Sequence, residues 1–193
     1  MTLELGQNIV IIGQTCSGKS TLGEELAEHL GKRSVELDAL WWEPGWTNPP
    51  IEVFRKRVDE ATEGDSWVVA GNYSAVRDLL WPRADTIIWL DFPLPLILKR
   101  VVERSWRRHR ANELLWGTNR ERFWDHFTTW SDESLIAFAI KNHRSRRKRF
   151  EAEMAGSNWP DVRFRRLRSP KTVERFRRAT GLPGRSTGRH RQE

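Results

Sequence analysis

The chain opens with an apolar run that predicts a buried strand followed by a helix. Ile9–Ile12 is a short β-branched segment ending at Gly13, which is typical of a parallel strand covered on both faces. Leucines then recur every four residues, at Leu22, Leu26 and Leu30. Gly31 follows as a stop signal. The pattern therefore predicts a strand, a glycine-bearing turn and an amphipathic helix.

The same alternation continues along the chain. Further strands are predicted at 34–37, 66–69, 86–90 and 162–167, and the last is an edge strand because arginines alternate with apolar residues there. Helices are predicted at 51–63, after Pro95 towards Trp106, from 131 through the basic segment 143–149, and from 170 to 181. This order predicts an α/β fold with a mostly parallel five-stranded sheet and helices on both faces.

Two segments depart from this alternation. Residues 105–130 are rich in arginine and aromatic side chains and fit no strand, so they are predicted to project from the sheet as a lid. Residues 182–193 are polar and glycine-rich and are predicted to be a disordered basic tail. The remaining residues, 1–181, are predicted to form one domain.

Composition narrows the class of protein. The 193 residues contain one cysteine, Cys16, which excludes an internal disulfide and a cysteine-rich zinc site. No apolar run is long enough to span a membrane, and the amino terminus lacks a secretion signal, so a cytoplasmic location is expected. Residues 1–96 have a net charge of −7 and residues 97–193 a net charge of +14. The basic half suggests a polyanionic partner, either nucleic acid or nucleotide phosphates.

Residues 13–20, GQTCSGKS, match the phosphate-binding pattern G-x-x-x-x-G-K-[ST]. Backbone N–H groups of such a loop cradle phosphates at the positive end of the following helix. The predicted cofactors are therefore ATP and Mg²⁺, with Lys19 reaching the β- and γ-phosphates and the Ser20 hydroxyl binding the metal. The other candidate nucleotide contacts in this loop are Gly13, Thr15, Cys16, Ser17 and Gly18.

Polar side chains follow three of the predicted strands. Asp38 ends the second strand and Asp91 the fourth, where ligands bind in open α/β sheets. Asp38 is a candidate to take a proton from an acceptor or to hold Mg²⁺ through water, and Asp91 is a candidate second metal partner. Asn72 and Tyr73 follow the third strand and are candidates to bind an acceptor. Ordinary turn or capping roles are the alternative for all four residues.

Arginines and tryptophans near these positions allow two interpretations each. Six arginines stand in or beside the predicted lid: Arg104, Arg107, Arg108, Arg110, Arg120 and Arg122. One or two would stabilise the charge of a transferring phosphoryl group, and the others form a solvated face. The segment 143–149 is either a solvated helix end or a nucleic-acid patch. Trp42 and Trp46, with Trp41, either line an acceptor pocket or form a small satellite core.

Four segments together resemble a known family: the phosphate loop extended to Thr21, LDALWWEPGW at 37–46, GNYSAVRDLLWPRADTIIWLD at 71–91 and RLRSPKTVERF at 166–176. They are similar to the P-loop kinase-like proteins known as topology modulation proteins, which are relatives of adenylate kinase. The resemblance implies a strand order of 2-3-1-4-5 and a lid over ATP.

The resemblance also implies roles for particular residues. Thr21 joins the triphosphate contacts, Asp38 and the turn at 71–73 face the acceptor, and Arg168 borders the adenine. Arg107, Arg108, Arg110 and Arg120 lie on the lid. Many relatives have an aspartate before the glycine of the third-strand turn, where this chain has Ala70. That absence leaves Asp38 or Asp91 to supply the acid.

The leading hypothesis is an ATP-dependent kinase that phosphorylates a small molecule, with a nucleoside monophosphate as the acceptor by analogy. Two alternatives stay open. The basic second half of the chain is compatible with a nucleic-acid-binding ATPase or regulator. Ala70 is compatible with a nucleotide-binding protein that has lost catalysis.

Overall fold

The computed structural model describes residues 3–111, 114–120, 134–156 and 158–183, without the side chain of Arg120. The strands are β1 (Ile9–Gly13), β2 (Arg33–Glu36), β3 (Trp67–Ala70), β4 (Thr86–Leu90), β5 (Leu114–Leu115), β6 (Asn119–Arg120) and β7 (Arg163–Leu167). The helices are α1 (Lys19–Leu30), α2 (Leu37–Trp41), α3 (Ile51–Ala61), α4 (Arg77–Leu80), α5 (Leu94–Ala111), α6 (Leu135–Ala155) and α7 (Pro170–Ala179). Short 3₁₀ turns cover Pro44–Trp46, Ser74–Val76 and Trp81–Arg83.

Five strands form a parallel sheet in the order β2-β3-β1-β4-β7. Counted along this sheet alone, the order is 2-3-1-4-5, so the predicted α/β fold and strand order are confirmed. Every residue of β1 is buried, because this strand lies at the centre of the sheet with helices over both faces. The carboxyl end of β1, where Gly13 begins the phosphate loop, therefore lies in the middle of the sheet edge.

Alternate residues of β1 point into two different cores. Ile9 and Ile11 pack in one cluster with Leu26 of α1, and Val10 and Ile12 pack in another with side chains of α3. Trp67 and Trp89 are 1% and 3% exposed, so the prediction that both are core residues is confirmed. The sheet is thus covered on both faces, which fixes the direction in which α1 leaves the loop.

The segment predicted as a strand-free lid differs from the prediction in two ways. Helix α5 continues to Ala111, so the arginines from Arg104 to Arg110 are helical. Residues 114–120 then form an antiparallel hairpin of β5 and β6. Trp116 and Gly117 take φ angles of 47° and 76°, and this left-handed backbone closes the turn. The remainder of the predicted lid, including Arg122, lies outside the described residues.

The last two helices begin with serine caps. The Ser134 hydroxyl accepts from the backbone N–H of Ala137 before α6, and Ser169 forms a capping box with Thr172 before α7. The prediction that disorder begins at residue 182 is wrong for Leu182 and Pro183. Leu182 is 4% exposed, and the carbonyl of Pro183 accepts from Arg177. Residues 184–193 lie outside the described part of the chain.

None of the helices in the described ranges has the length and apolar content needed to cross a bilayer.

Two leucines of α1 offer a matched test of the core. Leu26 is 0% exposed, whereas Leu30 is 37% exposed. We expect Leu26→Ala to lower the free energy of unfolding by about 2–5 kcal/mol because it leaves a cavity beneath the sheet. Leu30→Ala should change it by about 0.5 kcal/mol or less. Denaturant unfolding of both variants measures the difference, and equal losses would contradict the packing described.

Candidate active site

The phosphate loop joins β1 to α1 and has a backbone that depends on glycine. A Cβ on Gly13 would lie 2.7 Å from the Ser17 Oγ and 2.8 Å from the Leu90 carbonyl oxygen, so the site has no room for a side chain. Gly18 takes a left-handed conformation with φ of 95°. Helix α1 begins directly after it without a side-chain cap. Its first N–H groups are therefore available to bind an anion, as the motif predicts.

Lys19 stands on the first turn of α1 and bends back over the loop. Its Nζ donates to the carbonyl oxygen of Gln14 at 3.0 Å. Burial lowers the pKa of Lys19, and the negative charge of Asp38 opposes that shift. Arg146 and Arg104 lower the same pKa further. The charges of Asp38, Arg146 and Arg104 therefore all act on the Lys19 ammonium.

The hydroxyl of Ser20 is held by a carboxylate that sequence reasoning missed. Ser20 Oγ donates to Glu36 Oε1 at 2.6 Å, and the indole Nε1 of Trp116 donates to Glu36 Oε2 at 3.3 Å. Glu36 is the last residue of β2 and lies in register with Ala70 of β3. An acid therefore stands on the strand beside Ala70, in addition to Asp38 and Asp91. Its position at a strand end, two residues before Asp38, was the available signal.

Asp38 lies in the short helix α2, just beyond the strand end predicted for it. Its Oδ1 accepts from the Tyr73 hydroxyl at 2.6 Å. Burial raises the pKa of Tyr73, and the negative charge of Asp38 and their hydrogen bond raise it further. The aspartate from α2 and the tyrosine from the turn after β3 thus form one hydrogen-bonded pair.

Arg146 is a second residue that sequence reasoning did not single out. In its hydrogen-bonded orientation, the Asn72 amide donates to the Gly13 carbonyl at 3.0 Å and accepts from Arg146 Nη1 at 3.1 Å. Burial and the charge of Arg149 lower the pKa of Arg146, while Tyr73 and Asp38 raise it. The basic segment 143–149 therefore contributes an arginine directly to the site, and the prediction that it is a helix end is wrong, because α6 continues to Ala155.

Asp91 has other partners than the predicted metal. Its Oδ2 accepts from Arg166 at 2.9 Å and 2.7 Å and lies 3.3 Å from Arg147 Nη2. The residue is 7% exposed. Two arginines therefore neutralise this carboxylate, and these partners disfavour the metal role predicted for Asp91.

The other predicted arginines and tryptophans differ in their exposure and in their contacts. Arg107 and Arg110 are exposed on α5, Arg108 is half-buried, and Arg168 is exposed beyond β7. The side chain of Arg120 lies outside the described residues. Trp42 and Trp46 stack edge to face, and neither lines the small cavity beside Asn72 and Tyr73. Acceptor binding by these tryptophans and nucleotide binding by these arginines stay predictions.

The donors near the loop suit a magnesium ion. The Ser20 hydroxyl and the Glu36 carboxylate are oxygen ligands, which Mg²⁺ prefers over nitrogen or sulfur. Among the described residues, no group of three or more acidic, histidine or cysteine side chains forms a metal cage. Mg²⁺ typically keeps several waters and binds through one or two protein groups and substrate phosphates. This arrangement fits an ion that arrives with a nucleotide.

Known proteins share both sequence and fold with this chain. No family model matches it. An uncharacterized protein of Bacillus subtilis, YqaC, is 29% identical over 142 residues, covering 72% of this chain and 78% of the relative. A shikimate kinase of Symbiobacterium thermophilum is 38% identical over 100 residues, covering 44% of this chain and 57% of the relative. A sugar kinase structure from Janibacter sp. matches with a TM-score of 0.51 and 18% identity, covering 91% of this chain and 95% of the other.

The raised pKa of Tyr73 can be tested because it is the single tyrosine of the chain. An unfolded tyrosine ionises near pH 10, so we expect the folded protein to show no tyrosinate absorbance at that pH. Tyr73 then stabilises the fold fully below the unfolded pKa and loses that contribution as the pH rises through the folded pKa.

Asp38→Asn removes the nearby negative charge and should bring the midpoint back towards 10. Ultraviolet difference spectra recorded during an alkaline titration measure both proteins. A wild-type midpoint near 10 in the folded state would contradict the Asp38–Tyr73 pair.

The motif, the strand order and these likenesses agree with one another. The structural similarity supports the fold. The phosphate loop between β1 and α1 is the feature that indicates phosphate binding. The narrower resemblance to topology modulation proteins stays a prediction. In fold and in phosphate-binding motif, the chain is similar to the P-loop kinase-like proteins.

Proposed function

We propose that the protein is an ATP-dependent phosphotransferase that phosphorylates a hydroxyl group of a small anionic molecule. One observation supports the proposal: the Asn72 amide donates to the Gly13 carbonyl of the phosphate loop at 3.0 Å, and the adjacent Tyr73 donates to Asp38 at 2.6 Å, so the loop and the Asp38–Tyr73 pair lie side by side. A phosphate-binding loop beside a half-buried carboxylate is the arrangement that phosphoryl transfer to a hydroxyl needs.

The nucleotide half of the site is built from the loop and α1. The free N–H groups of α1 and the Lys19 ammonium would bind the phosphates of ATP. Ser20, oriented by Glu36, would hold Mg²⁺, which supplies charge neutralisation at the β- and γ-phosphates. Arg100 braces the loop by donating to the Ser17 carbonyl at 2.9 Å. A groove between Arg100 and Pro170 continues from the loop and offers space for the adenine ring of ATP.

The acceptor half of the site favours a hydroxyl. An alcohol must lose its proton to become a phosphoester, and Asp38 is a carboxylate placed to accept it. Tyr73 orients that carboxylate through its 2.6 Å hydrogen bond. A phosphate acceptor is already anionic at neutral pH and has less need of a base. The acceptor predicted by analogy, a nucleoside monophosphate, is therefore the second choice.

Arg146 favours an acceptor that also carries a negative charge. Its guanidinium is half-buried and reaches the site beside Asn72, where a carboxylate or phosphate could bind it in bidentate fashion. The sequence relative named shikimate kinase supports a small-molecule acceptor in general.

The structure offers less support for nucleic-acid binding. In the described ranges, Arg147 and Arg166 pair with Asp91 and Glu151, and Arg177 pairs with Glu25. These ion pairs neutralise three of the arginines that would otherwise attract a polyanion.

Turnover tests the proposal. We expect ADP release from Mg²⁺–ATP to rise with one class of small hydroxy acid or sugar phosphate. Lys19→Ala should lower that rate about 10²–10³-fold because a donor to the transferring phosphate is lost. Asp38→Asn should lower it about 10²-fold or more because no base remains.

Lys56→Ala and Asp59→Asn are the matched controls, since both side chains are exposed in ion pairs of α3. Both should keep the wild-type rate. A rate that no hydroxyl acceptor stimulates, while a nucleoside monophosphate does, would contradict the hydroxyl assignment.

The acid at Glu36 makes a separate prediction about Ala70. If the absence of an aspartate at position 70 impaired catalysis, Ala70→Asp should raise the rate of phosphoryl transfer. We expect the opposite, because Ala70 lies in register with Glu36 and faces Gly23 of α1, where an added Cβ would lie only 3.3 Å from the Ala70 Cβ. A buried second carboxylate there should lower both the rate and the melting temperature. Calorimetric melting and the turnover assay measure the two effects, and a gain in rate would contradict the role given to Glu36.

A further inference from the structure

The β5–β6 hairpin reaches the phosphate site through one indole. Trp116 lies in the turn of the hairpin, and its Nε1 donates to Glu36 Oε2 at 3.3 Å. The other oxygen of Glu36 accepts from Ser20 at 2.6 Å. A carboxylate fixed at both oxygens has little freedom to rotate, so the indole sets the direction in which Glu36 meets Ser20.

The position of Trp116 is itself fixed from two sides. Its ring meets Trp46 at 6.0 Å between centroids, in an edge-to-face arrangement. Asn119, 2% exposed, accepts from the Trp46 backbone N–H at 3.0 Å and donates to the Glu43 carbonyl at 2.9 Å. These contacts anchor the hairpin on the loop that follows α2.

The backbone at Trp116 also suggests a constrained position. Its φ of 47° is one that side-chain-bearing residues seldom adopt. Such conformations persist where surrounding contacts determine them, and they occur often at functional sites. Here the determining contacts are the ring of Trp46 and the carboxylate of Glu36.

Resting on the phosphotransferase function proposed above, we propose that Trp116 is a positioning residue that acts through Glu36 to orient the Ser20 hydroxyl for Mg²⁺–nucleotide. With Glu36 accepting its proton, Ser20 presents an oxygen lone pair to the ion. The affinity for the Mg²⁺–nucleotide complex thereby depends on the packing of the β5–β6 hairpin against Trp46. Trp116 therefore affects the affinity for the Mg²⁺–ATP complex and leaves the affinity for ATP alone unchanged.

Equilibrium binding of ATP with and without Mg²⁺, measured by titration calorimetry, tests the assignment. Trp116→Phe keeps a ring against Trp46 and removes the N–H. We expect it to reduce the enhancement of ATP affinity by Mg²⁺ about three- to tenfold, the effect of one hydrogen bond of ordinary net strength, because the 3.3 Å bond is long for a charge-assisted one. ATP affinity without Mg²⁺ should stay at the wild-type value. In a Glu36→Gln background, Trp116→Phe should cause little further loss, because both changes remove the same interaction.

Trp159→Phe is the matched control. It also removes an indole that donates to a glutamate, Glu153 Oε2 at 3.0 Å, and its ring packs edge to face against Trp81. It should keep the wild-type Mg²⁺ enhancement. An equal loss of affinity with and without Mg²⁺ in Trp116→Phe would indicate general distortion and overturn the assignment, as would no loss at all.

The proposed function fails in a different way. A wild-type chain whose ATP binding does not respond to Mg²⁺ would overturn the phosphotransferase proposal together with the role of Trp116. A wild-type response that Trp116→Phe retains would overturn the role of Trp116 alone.

Discussion

The hydrogen bond from Ser20 to Glu36 joins the parts of the site that the fold brings to one edge. Ser20 belongs to the first turn of α1, and Glu36 ends β2, two strands away from β1 in the sheet. The bond can form because β3 lies between them and presents only the small side chain of Ala70 there. A larger residue at that position would crowd both α1 and the carboxylate, so the small side chain and the neighbouring acid form one arrangement.

A second constraint lies at Gly13. The close approach of Ser17 and of the Leu90 carbonyl leaves no space for a Cβ, so the loop must turn tightly at the end of the central strand. This turn places the N-terminus of α1 at the carboxyl end of the central strand. The phosphate loop and the proposed acceptor base, Asp38, thus lie at the same edge of the sheet, which is the usual location of ligands in open α/β sheets.

The sequence was informative where local chemistry decides the structure. Hydrophobic periodicity predicted the five main strands, and the motif at 13–20 predicted the loop, because strand burial and glycine requirements are properties of short segments. It was less informative about Glu36, Arg146 and Trp116. Each becomes important through a partner distant in the chain: Ser20 for Glu36, Asn72 for Arg146, and Glu36 for Trp116. Asp91 is the opposite case: the sequence suggested a metal ligand at this strand end, but a distant partner, Arg166 of the neighbouring strand, neutralises the carboxylate.

In the proposed function, the γ-phosphoryl group moves from ATP to an organic hydroxyl rather than to water. Following radiolabelled γ-phosphate in a reaction that contains Mg²⁺ and a panel of small hydroxy acids and sugar phosphates tests this most directly. The account predicts that the label appears in an acid-stable organic phosphoester and that Asp38→Asn abolishes its formation. Label found in inorganic phosphate alone, at a rate that no acceptor changes, would contradict it.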